Sequence, residues 1–193
     1  MLGRGPGKIG SGTINLVVFD VDGTLVTLHP QDDACYLEAI RSHEQLEKMN
    51  ISSEWDHYQF STDSGVLYEI FRKHLMRAPS ESESRQIESR YTQLLGASLE
   101  SSPIIREVPG AARAFSFLKT TGNWLPAIAT GSWKDSTLLK LQFSGISCDV
   151  PLACADDSFD RCEIVKTAIQ RASDYYRAPR FSEVVYVGDR QWD

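Results

Sequence analysis

The sequence lacks any run of eighteen apolar residues and any secretory hydrophobic segment, so neither a membrane span nor a signal peptide is read from it. Cysteine is sparse. Cys35, Cys148, Cys154 and Cys162 form no CxxC pair and have no histidine at zinc-finger spacing, which argues against a thiolate metal site. Free thiols in a reducing compartment are the expectation, with the cytoplasm as the default location. Net positive charge is also lacking: the formal net charge is −6, which disfavours a partner recognised through a nucleic-acid backbone. Compositional bias is absent too, since 41% hydrophobic and 24% charged residues are ordinary for a globular chain. A length of 193 residues suffices for one good-sized domain, or a core with a small insertion.

What is present falls into three parts. Residues 1–12, MLGRGPGKIGSG, are glycine-rich without apolar periodicity and read as a mobile leader. Residues 5–10 match GxGxxG, but they precede the first strand, whereas a dinucleotide fingerprint must lie between a strand and a helix. Residues 14–19, INLVVF, suit a central parallel strand covered on both faces. From about 30 to 103 the apolar residues recur at helical spacing, as in Tyr36, Leu37 and Ile40, then Val66, Leu67, Ile70, Phe71 and Leu75, then Ile87, Tyr91, Leu94 and Leu95. Pro79 with the following SESES reads as a turn and a helix start.

Beyond Pro103 the character alternates. A helix is expected from Ala111 through Leu118, a strand at 123–130, a helix at 133–143, a shorter strand at 148–155, a helix at 161–177 and a strand at 183–189. Strands alternating with helices of ten or more residues imply right-handed crossovers and a parallel α/β sheet of Rossmann-like type. The expected organisation is a leader at 1–12, a discontinuous α/β core at 13–29 and 104–193, and an inserted all-helical unit at 30–103.

Ligands of such sheets bind beyond the carboxyl ends of the strands. There the sequence places Asp20 and Asp22, then Thr130, Gly131 and Ser132, then Asp156 and Asp157, then Asp189 and Asp193. Carboxylates gathered in one cleft raise each other's pKa unless a cation holds them, and hard oxygen donors suit Mg2+.

The ordered set "DVDGTL" (20–25), "ATGS" (129–132), "RCEIVKTAI" (161–169) and "GDRQWD" (188–193) resembles the four motifs of the haloacid dehalogenase-like (HAD) hydrolase superfamily, over residues 14–193. The resemblance implies an α/β HAD fold with a helical cap inserted after the first motif. It implies Asp20 as the nucleophile forming an aspartyl-phosphate, and Asp22 as the acid and base for the leaving oxygen and the water. Gly23 would allow a sharp turn at the phosphate and Thr24 would tie that turn down, while Thr130 and Gly131 would contact the phosphoryl oxygens. Arg161 best matches the basic residue of the third motif, with Lys166 as its rival. Mg2+ would be held by Asp20, Asp22 and Asp189, with Asp193 in support. Relatives continue past the fourth motif, so the chain ending at Asp193 is expected to be a fragment.

Name-giving dehalogenases carry Tyr where this chain has Asp22, and a second carboxyl supplies the proton an alkoxide leaving group needs. The expected function is therefore Mg2+-dependent hydrolysis of a small phosphorylated metabolite, with neither nucleic acid nor membrane as partner. Other readings remain open: a non-catalytic phosphate-ligand binding or scaffold protein, a dehalogenase, a phosphonatase or a phosphomutase. Locally, Thr130, Ser132, Asp156 and Asp157 could each serve as helix caps instead of ligands. Specificity is expected from the polar aromatic stretch 55–65, with His57, Tyr58, Asp63 and Ser64 as candidates.

Overall fold

A computed structural model describes residues 13–102 and 104–190; the leader with its glycine-rich match, Pro103 and Asp193 lie outside them. Four strands, β1 (Asn15–Phe19), β2 (Trp124–Ala129), β3 (Leu152–Ala153) and β4 (Val184–Val187), form one parallel sheet in the order β3-β2-β1-β4. β1 is central because its apolar run can be covered on both faces. Leu16 and Val18 point into one layer with Ile164, Ala168, Ala172 and Tyr176, while Val17 and Phe19 point into the other. Phe19 meets Phe115 edge to face there, with centroids 5.6 Å apart.

Phe19 pairs with Ile128 on one side and Val187 on the other, so the carboxyl ends of β1, β2 and β4 come level. That register brings the loops beginning at Asp20, Thr130 and Gly188 to one edge. β3 is shorter than the eight residues its sequence suggested. Pro151 has no amide to donate and only its carbonyl accepts, from Ile128 at 2.8 Å; the preceding Asp149 is tied to Lys119 and Ser147 instead of to a strand.

Three helices follow β1: α1 (Pro30–Arg41), α2 (Asp63–Leu75) and α3 (Glu81–Ser101), with a short 3-10 turn at Trp55–His57. Their ends carry local signals. His29 Nδ1 accepts from the Gln31 amide ahead of Pro30, and the Thr62 hydroxyl accepts from the Gly65 amide. Ser80 and Glu83 form a reciprocal capping box at the start of α3. The remaining helices are α4 (Ala111–Thr121), α5 (Lys134–Phe143) and α6 (Arg161–Tyr176).

α1 packs along α3, and α3 reaches α5, so the inserted helices share one apolar cluster with a face of the sheet. Tyr36 centres that junction, with rings of Trp55, Tyr91 and Trp133 5.4 to 5.5 Å away. Among the described residues, no helix is long and apolar enough to cross a membrane.

Candidate active site

The turn after β1 is built by its backbone. The Val21 carbonyl accepts from the amides of Thr24, Leu25 and Val26 at 3.2, 2.8 and 3.0 Å, and the Gly23 amide donates to Val26 at 2.8 Å. Gly23 adopts φ +82°, where a Cβ would be strained. Thr24 ties the turn through its amide and not through its hydroxyl, which is buried without a hydrogen-bond partner among the described residues.

Asp20 stands at the end of β1 and is only 4% exposed. Its Oδ2 lies 3.2 Å from Arg161 Nη2, which also donates to the Tyr186 hydroxyl at 3.3 Å. Arg161 opens α6, whose N-terminus is fixed by the Asp160 side chain accepting from the Cys162 and Glu163 amides. Lys166, five residues further, points to solvent and pairs with Glu163 at 2.7 Å. Of the two, it is Arg161 that reaches Asp20.

Asp22 is held at both carboxyl oxygens. Ser132 Oγ donates to Oδ2 at 2.7 Å, and Lys140 Nζ donates to Oδ1 at 2.9 Å. Burial raises the cost of its charge, but the ammonium of Lys140, the two hydrogen bonds and the charge of Arg161 together hold the carboxyl below its ordinary pKa. The same ammonium meets Asp32 Oδ2 at 2.6 Å, and the Tyr91 hydroxyl donates to Asp32 Oδ1 at 2.5 Å. Burial works against the Lys140 charge, yet Asp22 and Asp32 push its pKa well above that of an exposed lysine.

The loop after β2 supplies small groups at close quarters. Thr130 is buried, and its hydroxyl accepts from the Ser132 amide at 3.2 Å. A Cβ on Gly131 would fall 2.5 Å from both Arg161 Nη1 and the Ser61 carbonyl, so a residue without a side chain is required there. Neither Thr130 nor Ser132 caps α5. Its first amides are satisfied from elsewhere, Trp133 by Asp63 Oδ2 and Lys134 by Asp156 Oδ2, each at 2.8 Å. Asp157 accepts from the Cys154 amide and makes a two-point pair with Arg171, so it too serves the framework.

Asp189 closes the edge: its carboxylate lies directly against Gly23, where a Cβ would overlap it. Arg190 Nε is 3.4 Å from Asp189 Oδ2. Among the described residues, no three side chains of metal-binding type converge. Asp20 and Asp189 nevertheless offer all-oxygen donors beside one turn, which fits a cation such as Mg2+ that takes one or two carboxylates and fills its shell with water and phosphate.

Above these groups opens a cleft of about 820 Å3, lined by Asp20, Asp22, Thr130, Gly131, Arg161 and Asp189 below and by His29, Trp55, His57 and Tyr58 of the helical segment. Of the four candidates in that segment, His57 sits at the exposed rim beside Glu54, and the Tyr58 hydroxyl donates to the Ser52 carbonyl. Asp63 caps α5, and the Ser64 hydroxyl accepts from the Trp133 indole at 2.7 Å.

A profile of the family described as haloacid dehalogenase-like hydrolase matches residues 14–193. The chain belongs to this family. Among solved structures, a hydrolase from Pseudomonas syringae is 18% identical, with a TM-score of 0.63 over 94% of this chain and 78% of that one. CbbY from Rhodobacter sphaeroides, in complex with phosphate, is 18% identical with a TM-score of 0.65, over 93% and 80%. A CbbY variant in complex with xylulose-(1,5)-bisphosphate gives 0.57 at 18% identity, over 82% and 72%. These likenesses show the HAD fold. No curated protein matches the sequence.

In this HAD hydrolase the sequence reading missed Lys140, Asp32, Tyr91 and Tyr186. One signal existed. Lys140 shares the buried face of α5 with Ser136, Thr137 and Leu141, a position at which helical periodicity calls for an apolar residue.

Proposed function

We propose that the protein is a Mg2+-dependent phosphomonoester hydrolase acting on a small phosphorylated metabolite. The observation that carries the reading is the pair of carboxyls at the end of β1: Asp20 against Arg161, and Asp22 gripped by Ser132 and Lys140. Asp20 Oδ attacks phosphorus, the bond from phosphorus to the leaving oxygen breaks, and an aspartyl-phosphate forms. Asp22, ionised in the free protein, takes up a proton as the charged phosphate enters, gives it to the leaving oxygen and then takes one from the water that releases phosphate, returning Asp20. Arg161, with Thr130 and the Gly131 amide, offsets charge on the phosphoryl oxygens.

Asp20, the Asp22 carbonyl and Asp189 would hold Mg2+, with Asp193 in support. The bound cation would supply charge neutralisation between phosphate and carboxylates. Residues 30–103 act as a cap over the core at 13–29 and 104–193, and 55–65 faces the leaving group. The phosphate and the sugar bisphosphate bound by the CbbY proteins support a small phosphorylated substrate.

The test is turnover of p-nitrophenyl phosphate with and without Mg2+, by wild type and Asp20→Asn. The expected result is metal-dependent turnover that the substitution abolishes. Turnover surviving in Asp20→Asn removes the nucleophile, and none in wild type favours a phosphate-binding protein without chemistry.

A further inference from the structure

We propose that Lys140 is a positioning residue for Asp22, itself held in place by Asp32 and Tyr91 of the inserted helices. This rests on Asp22 as the acid and base of the proposed reaction.

Lys140 is 1% exposed, and its ammonium has three protons to place. Asp22 and Asp32 take two at 2.9 and 2.6 Å, and Ser132 Oγ stands at 3.5 Å. A helix face inside a core is more cheaply filled by an apolar side chain, since an ammonium taken from water needs close partners on every proton. What the lysine adds is a fixed carboxylate. One oxygen of Asp22 is held by Lys140 and the other by Ser132, both from the β2-to-α5 segment, so the carboxyl cannot swing about its Cβ without breaking a bond.

Asp32 plays the same part for the lysine. It lies in the first turn of α1, and the Tyr91 hydroxyl of α3 fixes its other oxygen. A continuous chain therefore runs from Tyr91 through Asp32 and Lys140 to Asp22, linking the inserted helices to the group that handles the proton.

A mere tether between helices and core would affect every substrate alike. A misplaced acid would not: protonation of the leaving oxygen matters greatly for an alkoxide and little for an acidic phenolate. The experiment compares an alkyl phosphate with p-nitrophenyl phosphate, in Mg2+, for the full chain and for Lys140→Met, Lys140→Arg, Asp22→Asn and the Asp22→Asn/Lys140→Met double variant.

Lys140→Met is expected to lose about 100-fold in kcat on the alkyl phosphate, with KM within about threefold and p-nitrophenyl phosphate within about fivefold of wild type. Lys140→Arg should restore part of the loss. The double variant should be no slower than Asp22→Asn alone, because both changes remove one function. Equal losses on the two substrates, or losses that multiply in the double variant, overturn the proposal.

Crystal structures of wild type and Lys140→Met give a readout that does not depend on turnover. The Asp22 carboxyl is expected to leave Ser132 Oγ, and an unmoved carboxyl overturns the positioning role even if hydrolysis is confirmed. A wild type inactive on all phosphomonoesters instead overturns the reaction, and the crystal structures still decide whether Lys140 positions Asp22. Should Lys140→Met not fold, Tyr91→Phe loosens Asp32 without removing the charge, and the same kinetic and crystallographic comparisons decide.

Discussion

Gly23 and Asp189 touch across the sheet edge: the carboxylate occupies the space a Cβ on Gly23 would need. One residue follows β1 and the other follows β4, and the contact exists because Gly23 takes φ +82°. Gly23→Ala meets two penalties, a left-handed backbone costing roughly 1–2 kcal/mol and the displacement of Asp189. A lower melting temperature is expected, together with a several-fold higher Mg2+ concentration for half-maximal turnover. Thermal unfolding reads the first effect and metal titration of p-nitrophenyl phosphate hydrolysis the second; an unchanged metal requirement would exclude Asp189 as a ligand.

Arg161 and Lys166 separate cleanly by position. The first is 16% exposed at the side chain and 3.2 Å from Asp20, the second is 68% exposed and paired with Glu163 within its own helix. An exposed pair of that kind is screened by water and contributes little. Arg161→Ala is therefore expected to lower kcat/KM by about 100-fold or more, and Lys166→Ala to stay within about twofold. Steady-state kinetics on the two variants decide the assignment, and the reverse ranking would move the basic role to Lys166.

The parts of this fold legible in the sequence are those whose cause is local. β1 and β2 are apolar on both faces and show as unbroken runs, and Ser80 announces α3 because a capping box is a four-residue pattern. The strand at 148–155 was overcalled because apolar composition does not reveal that Pro151 interrupts the pairing. Thr130, Ser132 and Asp156 are each possible caps by sequence; Asp156 accepts from the Lys134 amide, but Asp63, which holds the Trp133 amide, comes from a segment 70 residues away. Lys140 leaves one local sign, its place on the buried face of α5, but its role does not show for the same reason. Its partner Asp22 lies 118 residues earlier, and only the sheet brings the two together.

Ser80 offers a test of the insert that leaves the cleft alone. Its hydroxyl accepts from the Glu83 amide at 3.3 Å, and Glu83 Oε2 returns a bond to the Ser80 amide at 2.7 Å. Glu83 also holds Arg77 and His43, so the cap organises the turn between α2 and α3. Ser80→Ala should cost about 1 kcal/mol of stability with kcat unchanged, since Ser80 does not line the cleft. Urea unfolding beside a kinetic assay measures both; a fall in kcat would show that this turn reaches the active site.

Asp63 gives the chain a pH dependence of definite sign. Burial pushes its pKa from the ordinary 3.8 up to about 7; Lys140 and the Trp133 amide offset part of this, while the charges of Asp32 and Asp22 add to it. Between about pH 4 and 7 the native state thus keeps a proton that the unfolded chain has lost. The stabilising contribution is whole below pH 4 and is lost as pH rises through 7, with a limiting slope of about 1.4 kcal/mol per pH unit. Asp63→Asn keeps an amide oxygen for the Trp133 N–H and cannot ionise. The variant should therefore resist urea better than wild type at pH 8, with the advantage shrinking towards pH 4. Urea midpoints at pH 4, 6 and 8 measure the trend, and a gap that does not vary with pH would mean that Asp63 is already ionised throughout.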